Sequence, residues 1–372
     1  MSALKAKIGL KIGVLGGGQL ARLLVLEAHR MGLEAHVLSE NQEDPAAQVT
    51  SHWHQGQTNK IEDLSQFCKK MDLVTFESEF IPAQALKSLS KKFSKKIFPD
   101  PSILKVLQDR LSQKNLLLEN KIPTSPFVVL NGPSDLMVAH QLFKTGLVAK
   151  TRLGGYDGKG TFILKSKKDL AHFLKKQDLT NHNFIAEKLI SFRRELALQV
   201  TRNKSGQILF LPLVEIHQAE NRLDWLQGPV DHPKLINLQK KISAFLKKID
   251  YVGLIAFELF DQGNQLLVNE LAPRVHNSGH YSTEALSIDQ FSLHLMAGLD
   301  QDFPALKLRC KNFLMTNLIG RGSPQIKIAG PLSGTLHWYG KSKNLPGRKI
   351  GHVTYLNSSP RLAFLERKRM KL

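Results

Sequence analysis

The chain has 372 residues and a mass of 41.8 kDa, which at about 150 residues per domain implies two or three domains. Hydrophobic residues at 42% and charged residues at 23% exclude a collagenous, mucin-like or wholly disordered chain, and no apolar run reaches a membrane span. Lys and Arg number 52 against 32 Asp and Glu, a net charge of +20 and a pI of about 9.8. That charge sets a nucleic-acid surface against a lysine-coated, solvated one. The positives fall in pairs such as Lys69-Lys70, Lys91-Lys92 and Lys247-Lys248, with no RRM, KH or zinc-finger pattern, so we read no nucleic-acid partner. A positive field also attracts phosphorylated substrates. Cys68 and Cys310 are too few for a disulfide framework or a four-cysteine zinc site. Met1-Ser2-Ala3-Leu4-Lys5 opens no apolar signal region, and the expectation is a soluble, cytoplasmic protein without a membrane partner.

The first hundred residues alternate strands and helices. Ile8 to Leu15 reads as a strand ending in Gly16-Gly17-Gly18, and Gln19 to Met31 as a helix with Leu20, Leu23, Leu24 and Ala28 on one face. Ala35 to Leu38 and Asp72 to Phe76 are further strands, which predicts a parallel sheet covered on both sides. Gly16-x-Gly18-x-x-Ala21 opens the helix, and Glu40 lies where a ribose-binding acid is expected. A dinucleotide, another phosphorylated ligand, or a tight turn with no ligand all fit that motif. Pro99 to Pro101 breaks the pattern and marks the first boundary.

Ile103 to Asn120 then reads as one helix and Leu147 to Lys150 as a strand. Lys150-Thr151-Arg152-Leu153-Gly154-Gly155-Tyr156-Asp157-Gly158-Lys159-Gly160 leads into the strand Thr161 to Leu164. A glycine-rich flap between strands can fold over nucleotide phosphates, with Lys150 as a fixed charge; the bland alternative is a flexible hairpin. Strands recur at Phe184 to Glu187, Glu195 to Thr201, Ile208 to Leu213, Leu254 to Phe260 and Gln265 to Leu271.

Glu258 and Glu270 lie on two strands of a hairpin turning near Asp261-Gln262-Gly263-Asn264. A two- or four-residue loop puts the carboxylates on opposite faces. A three-residue loop, Gln262 to Asn264, puts them on one face with a two-residue offset, where they can hold Mg²⁺ against nucleotide phosphates. Asn269 to His280 is dense in polar groups. His276 and His280 have the spacing of a zinc helix, but Asn277-Ser278-Gly279 are poor helix formers. An anion site fits better: Arg274 can grip a carboxylate or phosphate bidentately and His276 can donate a hydrogen bond or proton. Ser278 lacks an elbow motif and is not read as a nucleophile. From Pro304 onward short strands dominate, and Leu365 to Leu372 reads as a frayed basic tail.

Taken in order, these segments resemble the ATP-grasp superfamily and, within it, the 5-(carboxyamino)imidazole ribonucleotide synthases of purine biosynthesis. The resemblance rests on Gly13 to Leu20, Pro45-Ala46-Ala47-Gln48, Thr75-Phe76-Glu77-Ser78-Glu79, Gln108-Asp109-Arg110 with Lys114, and Gly154 to Gly160. It continues through Phe192 to Leu196, Asn269 to His280, Gln290-Phe291 with His294, Tyr339-Gly340-Lys341 and Gly347 to His352. It implies an α/β and α+β fold: a Rossmann-like pre-ATP-grasp domain over 1–100, an ATP-grasp core over 101–303 and a small β-rich domain over 304–372.

The resemblance also implies the chemistry. ATP phosphorylates bicarbonate to carboxyphosphate, which carboxylates the amine of 5-aminoimidazole ribonucleotide, with Mg²⁺ as cofactor and a homodimer as the assembly. It assigns ATP to Arg110, Lys150, Gly155, Tyr156, Asp157, Gly158, Lys159, Gly160, Thr161, Glu187, Lys188, Leu189, Ile190, Glu195, His217, Asn269 and Glu270. It assigns the ribonucleotide to Gln19, Leu20, Glu77, Tyr156, Asp157, Lys159, Lys341 and Arg348, and the metal to Glu258 and Glu270. Arg274 and His276 are the implied catalytic residues on bicarbonate, with Asp157 the candidate acceptor of the amine proton. Other phosphorylated amines, or an NAD-dependent oxidoreductase built on the first glycine turn, are the alternatives. Phe80 after Glu79, the short Pro212 to His217 stretch without Asn, Ala197, Val275 and Ala21 depart from the family pattern.

Overall fold

Four short strands, Lys11–Leu15 (β1), Glu34–Ser39 (β2), His52–Gln55 (β3) and Leu73–Phe76 (β4), form a parallel sheet in the order β3-β2-β1-β4. Parallel neighbours need crossovers, and the helices Gln19–Arg30 (α1) and Ile61–Lys70 (α2) contribute to them. The computed structural model describes residues 9–155, 159–181, 183–323, 327–328 and 330–371. Ile12 and Val14 pack with Ala21 and Leu24 of α1 on one side of the sheet. Leu15, Val74 and Phe76 pack on the other side with α2 and with Ala83–Phe93 (α3). β3 escaped the sequence reading because His52-Trp53-His54-Gln55 has no apolar alternation; its His54 Nε2 lies 2.9 Å from Nδ1 of His36.

The single helix expected over Ile103 to Asn120 is two, Pro101–Gln108 (α4) and Arg110–Glu119 (α5). Asp109 between them has extended backbone and its carboxylate caps the Leu111 amide at 3.1 Å. The same carboxylate takes Nε of Arg152 at 2.9 Å, so the break anchors the start of the glycine loop. It also makes Arg110 the first residue of a helix.

A small antiparallel sheet follows: Phe127–Leu130 (β5), Leu147–Thr151 (β6), Thr161–Leu164 (β7) and Phe184–Lys188 (β8), in the order β5-β8-β6-β7. Pro133–Leu142 (α6) and Lys167–Lys176 (α7) cover it with Leu136, Ala139, Leu170 and Phe173. The glycine loop joins β6 to β7, as expected. Gly160 sits at φ +75, and a Cβ there would strike the Thr151 side chain, so the loop closes only with glycine at that position.

The largest sheet has nine antiparallel strands. Arg194–Arg202 (β9), Ile208–Phe210 (β10), Val214–Ala219 (β11) and Arg222–Gly228 (β12) precede the long helix Leu235–Lys248 (α8). Gly253–Asp261 (β13) and Leu266–Ala272 (β14) form a hairpin, followed by Ser282–Ala285 (α9) and Gln290–Gly298 (α10). Phe313–Ile319 (β15) then pairs with β12, so one sheet runs on into the C-terminal region. Lys327–Ile328 (β16), Thr335–Trp338 (β17), Lys349–Leu356 (β18), Pro360–Arg369 (α11) and Met370–Lys371 (β19) complete the chain. Leu238, Ile242 and Phe245 of α8 fill one face of the sheet, and Leu286 and Leu293 the other. Among the described residues no helix is long and apolar enough to cross a membrane.

The basic tail is not frayed. Ser359 caps α11 by accepting from the Leu362 amide, Ala363 and Met370 are buried, Arg367 pairs with Asp224, and β19 pairs with β16. The sequence pattern misled because part of the charge is itself buried: Glu366 accepts from the Ser333 amide and Arg367 pairs with Asp224, while Leu362 and Leu365 stay exposed. Met370→Ala is expected to cost about 2 kcal/mol or more and to lower the thermal midpoint by several degrees in a melting curve.

One buried ion triad fastens the small sheet to α5. Glu187 on β8 is 2% exposed, Lys114 on α5 is 1% exposed, and Lys150 stands on β6. Each lysine Nζ lies 3.0 Å from a different Glu187 oxygen. Ser125 donates to Glu187 at 2.5 Å, and Lys114 donates to Thr124 and Ser125. Burial opposes the Glu187 anion, but Lys150 and Lys114 outweigh it and hold its pKa down to about 2, against an ordinary 4.5. Its contribution, roughly 3 kcal/mol, is complete above pH 4.5 and is lost as pH falls through 2. Glu187→Gln is expected to flatten that acid limb in urea titrations. At pH 7 it should lose about 3–5 kcal/mol, since two buried ammonium groups lose their partner.

Candidate active site

The small antiparallel sheet and the nine-stranded sheet meet around a cleft of about 510 Å³, which Glu79, just past β4, also lines. The hairpin of β13 and β14 supplies its floor. Its loop is four residues, Gln262 to Gln265, since Asp261 pairs with Leu266, which is one of the lengths expected from sequence to put the carboxylates on opposite faces. An ordinary continuation would set Glu258 against Asn269. A bulge intervenes: the register steps by one residue, Asn269 is the extra one, and Glu258 stands directly opposite Glu270. The two carboxylates therefore share a face with no offset.

Positive groups surround them. Arg110 Nη1 donates to Glu270 Oε2 at 2.5 Å, and Arg110 Nη2 to the Gly155 carbonyl at 3.3 Å. Lys150 Nζ donates to Asn269 Oδ1 at 2.9 Å. Burial, then Glu270 and Glu195, push the pKa of Glu258 up. Burial also acts on Glu270, but Arg110 more than offsets it and the pKa falls. Paired carboxylates beside an amide oxygen are the hard oxygen donors that Mg²⁺ takes, so these residues fit that ion.

Arg274 and His276 form the far end. Arg274 grips Glu79 bidentately, its Nη2 donating to Oε1 at 3.1 Å. His276 Nε2 lies 3.7 Å from Glu258 Oε1. Burial, then the Arg274 and Lys349 cations, push the His276 pKa well down, so the ring is neutral. At the other end Lys188, Leu189 and Ile190 line the cleft, with Phe192 stacked on Phe260 at 4.7 Å and 8°. The amides of Lys188 and Leu189 already donate to the carbonyls of Pro126 and Gly146. Glu195 lines the same wall, and burial raises its pKa.

The structure thus gathers Arg110, Lys150, Gly155, Thr161, Glu187 to Ile190, Glu195, Glu258, Asn269, Glu270, Arg274 and His276 in one cleft. His217 is a correction. Ile216 and Gln218 line the cleft, whereas His217 stacks flat on Trp225 at 5.1 Å, because strand neighbours face opposite ways. Lys159 is exposed on the flap and Gly160 closes it. Tyr156, Asp157 and Gly158 lie outside the described residues.

Gln19, Leu20 and Glu77 meet at the first glycine turn. Glu77 accepts from the Gly18 amide at 2.7 Å and the Ala21 amide at 3.2 Å. Gly16, at φ +114, has no room for a Cβ against Glu77. The protein's own carboxylate fills the helix N-terminus where a dinucleotide phosphate would sit, which removes the ground for an NAD reading. The turn after β17 lies close: Gln48 donates to the Gly340 carbonyl at 2.6 Å, and Lys341 Nζ to the Lys349 carbonyl. Arg348 is exposed, while Lys349 enters the cleft.

Lys349 and Glu79 were not singled out from sequence. Lys349 was legible in Gly347 to His352, where strand alternation turns it inward if Arg348 faces out. Glu79 had no signal beyond its motif, because its partner Arg274 is 195 residues away.

Three family models match the chain: a ribonucleotide synthetase preATP-grasp domain over 10–108, an ATP-grasp domain over 115–291, and a phosphoribosylaminoimidazole carboxylase C-terminal domain over 314–363. The chain is 35% identical over 354 residues to an N5-carboxyaminoimidazole ribonucleotide synthase of Synechococcus elongatus, covering 92% of this chain and 88% of that protein. It is 34% identical to the Staphylococcus aureus synthase, covering 96% of each. Among solved structures, the S. aureus N5-carboxyaminoimidazole synthetase complexed with ADP superposes with a TM-score of 0.88 at 33% identity, covering 98% of this chain and 97% of that one. The Aspergillus clavatus synthase in complex with ADP and 5-aminoimidazole ribonucleotide gives 0.85 at 29% identity, covering 96% of each. With its paired carboxylates, its flap and its Arg274–His276 end, this chain belongs to the N5-carboxyaminoimidazole ribonucleotide synthase family.

Proposed function

We propose that the chain is an ATP-dependent carbon–nitrogen ligase that carboxylates the amine of 5-aminoimidazole ribonucleotide with bicarbonate, a step of purine biosynthesis. The observation that carries this is the single cleft in which Glu258 and Glu270 face Arg110 and Lys150, with Arg274 and His276 beyond.

Arg110 and Lys150 bind the ATP phosphates, and the loop of Gly155 to Thr161 covers them. Leu189, Ile190, Phe192 and Phe260 flank the base, and Glu195 takes the ribose. Glu258 and Glu270 hold Mg²⁺, which when bound screens the phosphate charge. A bicarbonate oxygen attacks the γ-phosphorus, the bond to ADP breaks, and carboxyphosphate forms. Arg274 and His276 hold that anion; fixed donors aimed at developing charge contribute most where water is excluded. The amine nitrogen then attacks the carboxyl carbon, phosphate leaves, an N–C bond forms and one amine proton departs, with Asp157 the candidate acceptor. The ribonucleotide lies between the glycine turn and the cleft, with its phosphate on Lys341, Arg348 and Lys159. Lys349 joins this set as a cation facing the cleft. The enzyme works in the cytoplasm as a homodimer, which sedimentation would read as twice the chain mass.

The test is ADP release from Mg-ATP and bicarbonate, with and without 5-aminoimidazole ribonucleotide. The ribonucleotide is expected to stimulate release strongly. Arg274→Ala should lose about 10²–10³ in kcat, as loss of a charge-stabilising donor does. Lys341→Ala should raise the KM for the ribonucleotide about tenfold, the loss of one charge-assisted contact. Release indifferent to the ribonucleotide would sink the substrate assignment and leave the ATP site standing.

A further inference from the structure

We propose that Ser278, backed by Gln199, is a positioning residue that fixes His276 in the tautomer with its proton on Nε2, so that His276 acts on bicarbonate and carboxyphosphate as a hydrogen-bond donor and not as a base. This rests on the assignment of bicarbonate to the Arg274–His276 end of the cleft.

The direction of the relay is set by a group whose hydrogen is not in question. The backbone amide of Ser278 lies 3.3 Å from His276 Nδ1, and an amide N–H only donates. Nδ1 therefore presents its lone pair. The Ser278 hydroxyl lies 2.7 Å from the same nitrogen. It has one proton and accepts from Gln199 Nε2 at 2.6 Å, so its own proton goes to Nδ1. The ring proton is left on Nε2, which faces Glu258 across the cleft.

Every part of this relay is held. Ser278 and Gln199 are fully buried, so no bulk water competes for the hydroxyl. Gln290, also fully buried, clamps the His276 backbone: its Oε1 accepts from the His276 amide and its Nε2 donates to the His276 carbonyl, both at 2.9 Å. The adjacent Gly279 has no space for a Cβ against Gln290, so this clamp depends on glycine. Ser278 follows β14 in a short 3-10 turn whose backbone places hydroxyl and amide on one nitrogen. A general base would need an open lone pair toward the substrate. Here the one lone pair points inward and is doubly engaged. Where an outer hydrogen bond fixes the tautomer of a metal-bound histidine, its loss costs about 10–100-fold, and a comparable scale is expected for a histidine aimed at an anion.

Nitrogen-15 NMR of histidine-labelled protein, without substrate, tests the tautomer directly. The His276 signals are identified by their loss in His276→Gln. A pyrrole-type Nε2 and a pyridine-type Nδ1 are expected in the wild-type protein; a protonated Nδ1 overturns the proposal. Kinetics test the consequence. Ser278→Ala should lower kcat/KM for bicarbonate about 10–100-fold with the KM for ATP unchanged; a change within twofold overturns the positioning role. His276→Gln, which keeps an N–H near Nε2, should retain at least about tenfold more activity than His276→Ala. Equal loss in both would overturn the donor role. Because the NMR measurement needs no substrate, a wrong carboxylation reading would abolish only the kinetic arm and leave the tautomer decided.

Discussion

The site depends on one extra residue in a strand. Without the bulge at Asn269, a four-residue hairpin would turn Glu270 away from Glu258. With it, two carboxylates stand side by side in a shielded cleft. Two unit charges ~4–5 Å apart repel by roughly 4 kcal/mol at an effective dielectric of 20. Nothing in the hairpin itself offsets that. The offset comes from elsewhere in the chain: Arg110 from the first turn of α5, and Lys150 from β6 through Asn269. The helix break at Asp109 and the placement of the small sheet thus answer the demand that the bulge creates.

The charges are divided unequally, and the division makes chemical sense. Glu270, with Arg110 on it, is held ionised, whereas burial, Glu270 and Glu195 outweigh Lys349 and Lys150 at Glu258 and push it toward its neutral form. His276, next to Arg274, is neutral. An incoming cation with its phosphates would replace Arg110 as the partner of Glu270 and restore the anion on Glu258. The cleft therefore suits a ligand that brings positive charge to the carboxylates and negative charge to Arg110, Lys150 and Arg274. A magnesium nucleotide has that distribution.

What the sequence shows depends on how far apart the cooperating residues lie. The strand-helix alternation of the first hundred residues, the flap between β6 and β7, and the polar run after β14 are local patterns, and all three were legible. The same holds for Arg274 and His276, which follow an apolar strand directly. The helix break at Asp109 was hidden because the Arg152 that also holds its capping carboxylate is 43 residues away. The bulge was hidden because alternation supplies parity but not a register slip. His217 was misplaced for the same reason: a motif can select a segment, but the pleat decides which neighbour faces the ligand. The C-terminal helix was missed because Ala363, Met370 and the buried carboxylate of Glu366, which accepts from Ser333, hold an otherwise charged segment.

The first glycine turn shows how a familiar motif changes its use. An isolated helix N-terminus carries about half a positive charge and unpaired amides, which favour an anion. Here Glu77 supplies the anion from within, and Gly16 and Gly18 leave the space that its carboxylate fills. The residue is one of three at alternate positions along the exit of β4. Thr75 takes a hydrogen bond from His294 Nε2 at 2.6 Å, since the His294 Nδ1 already accepts from the Leu254 amide. Glu77 caps α1, and Glu79 grips Arg274. One extended segment therefore ties the first sheet to α10, to α1 and to Arg274. Movement of the glycine turn relative to the cleft would break all three at once. That coupling gives the turn a reason to be rigid that has nothing to do with holding a dinucleotide: it sets where Arg274 stands.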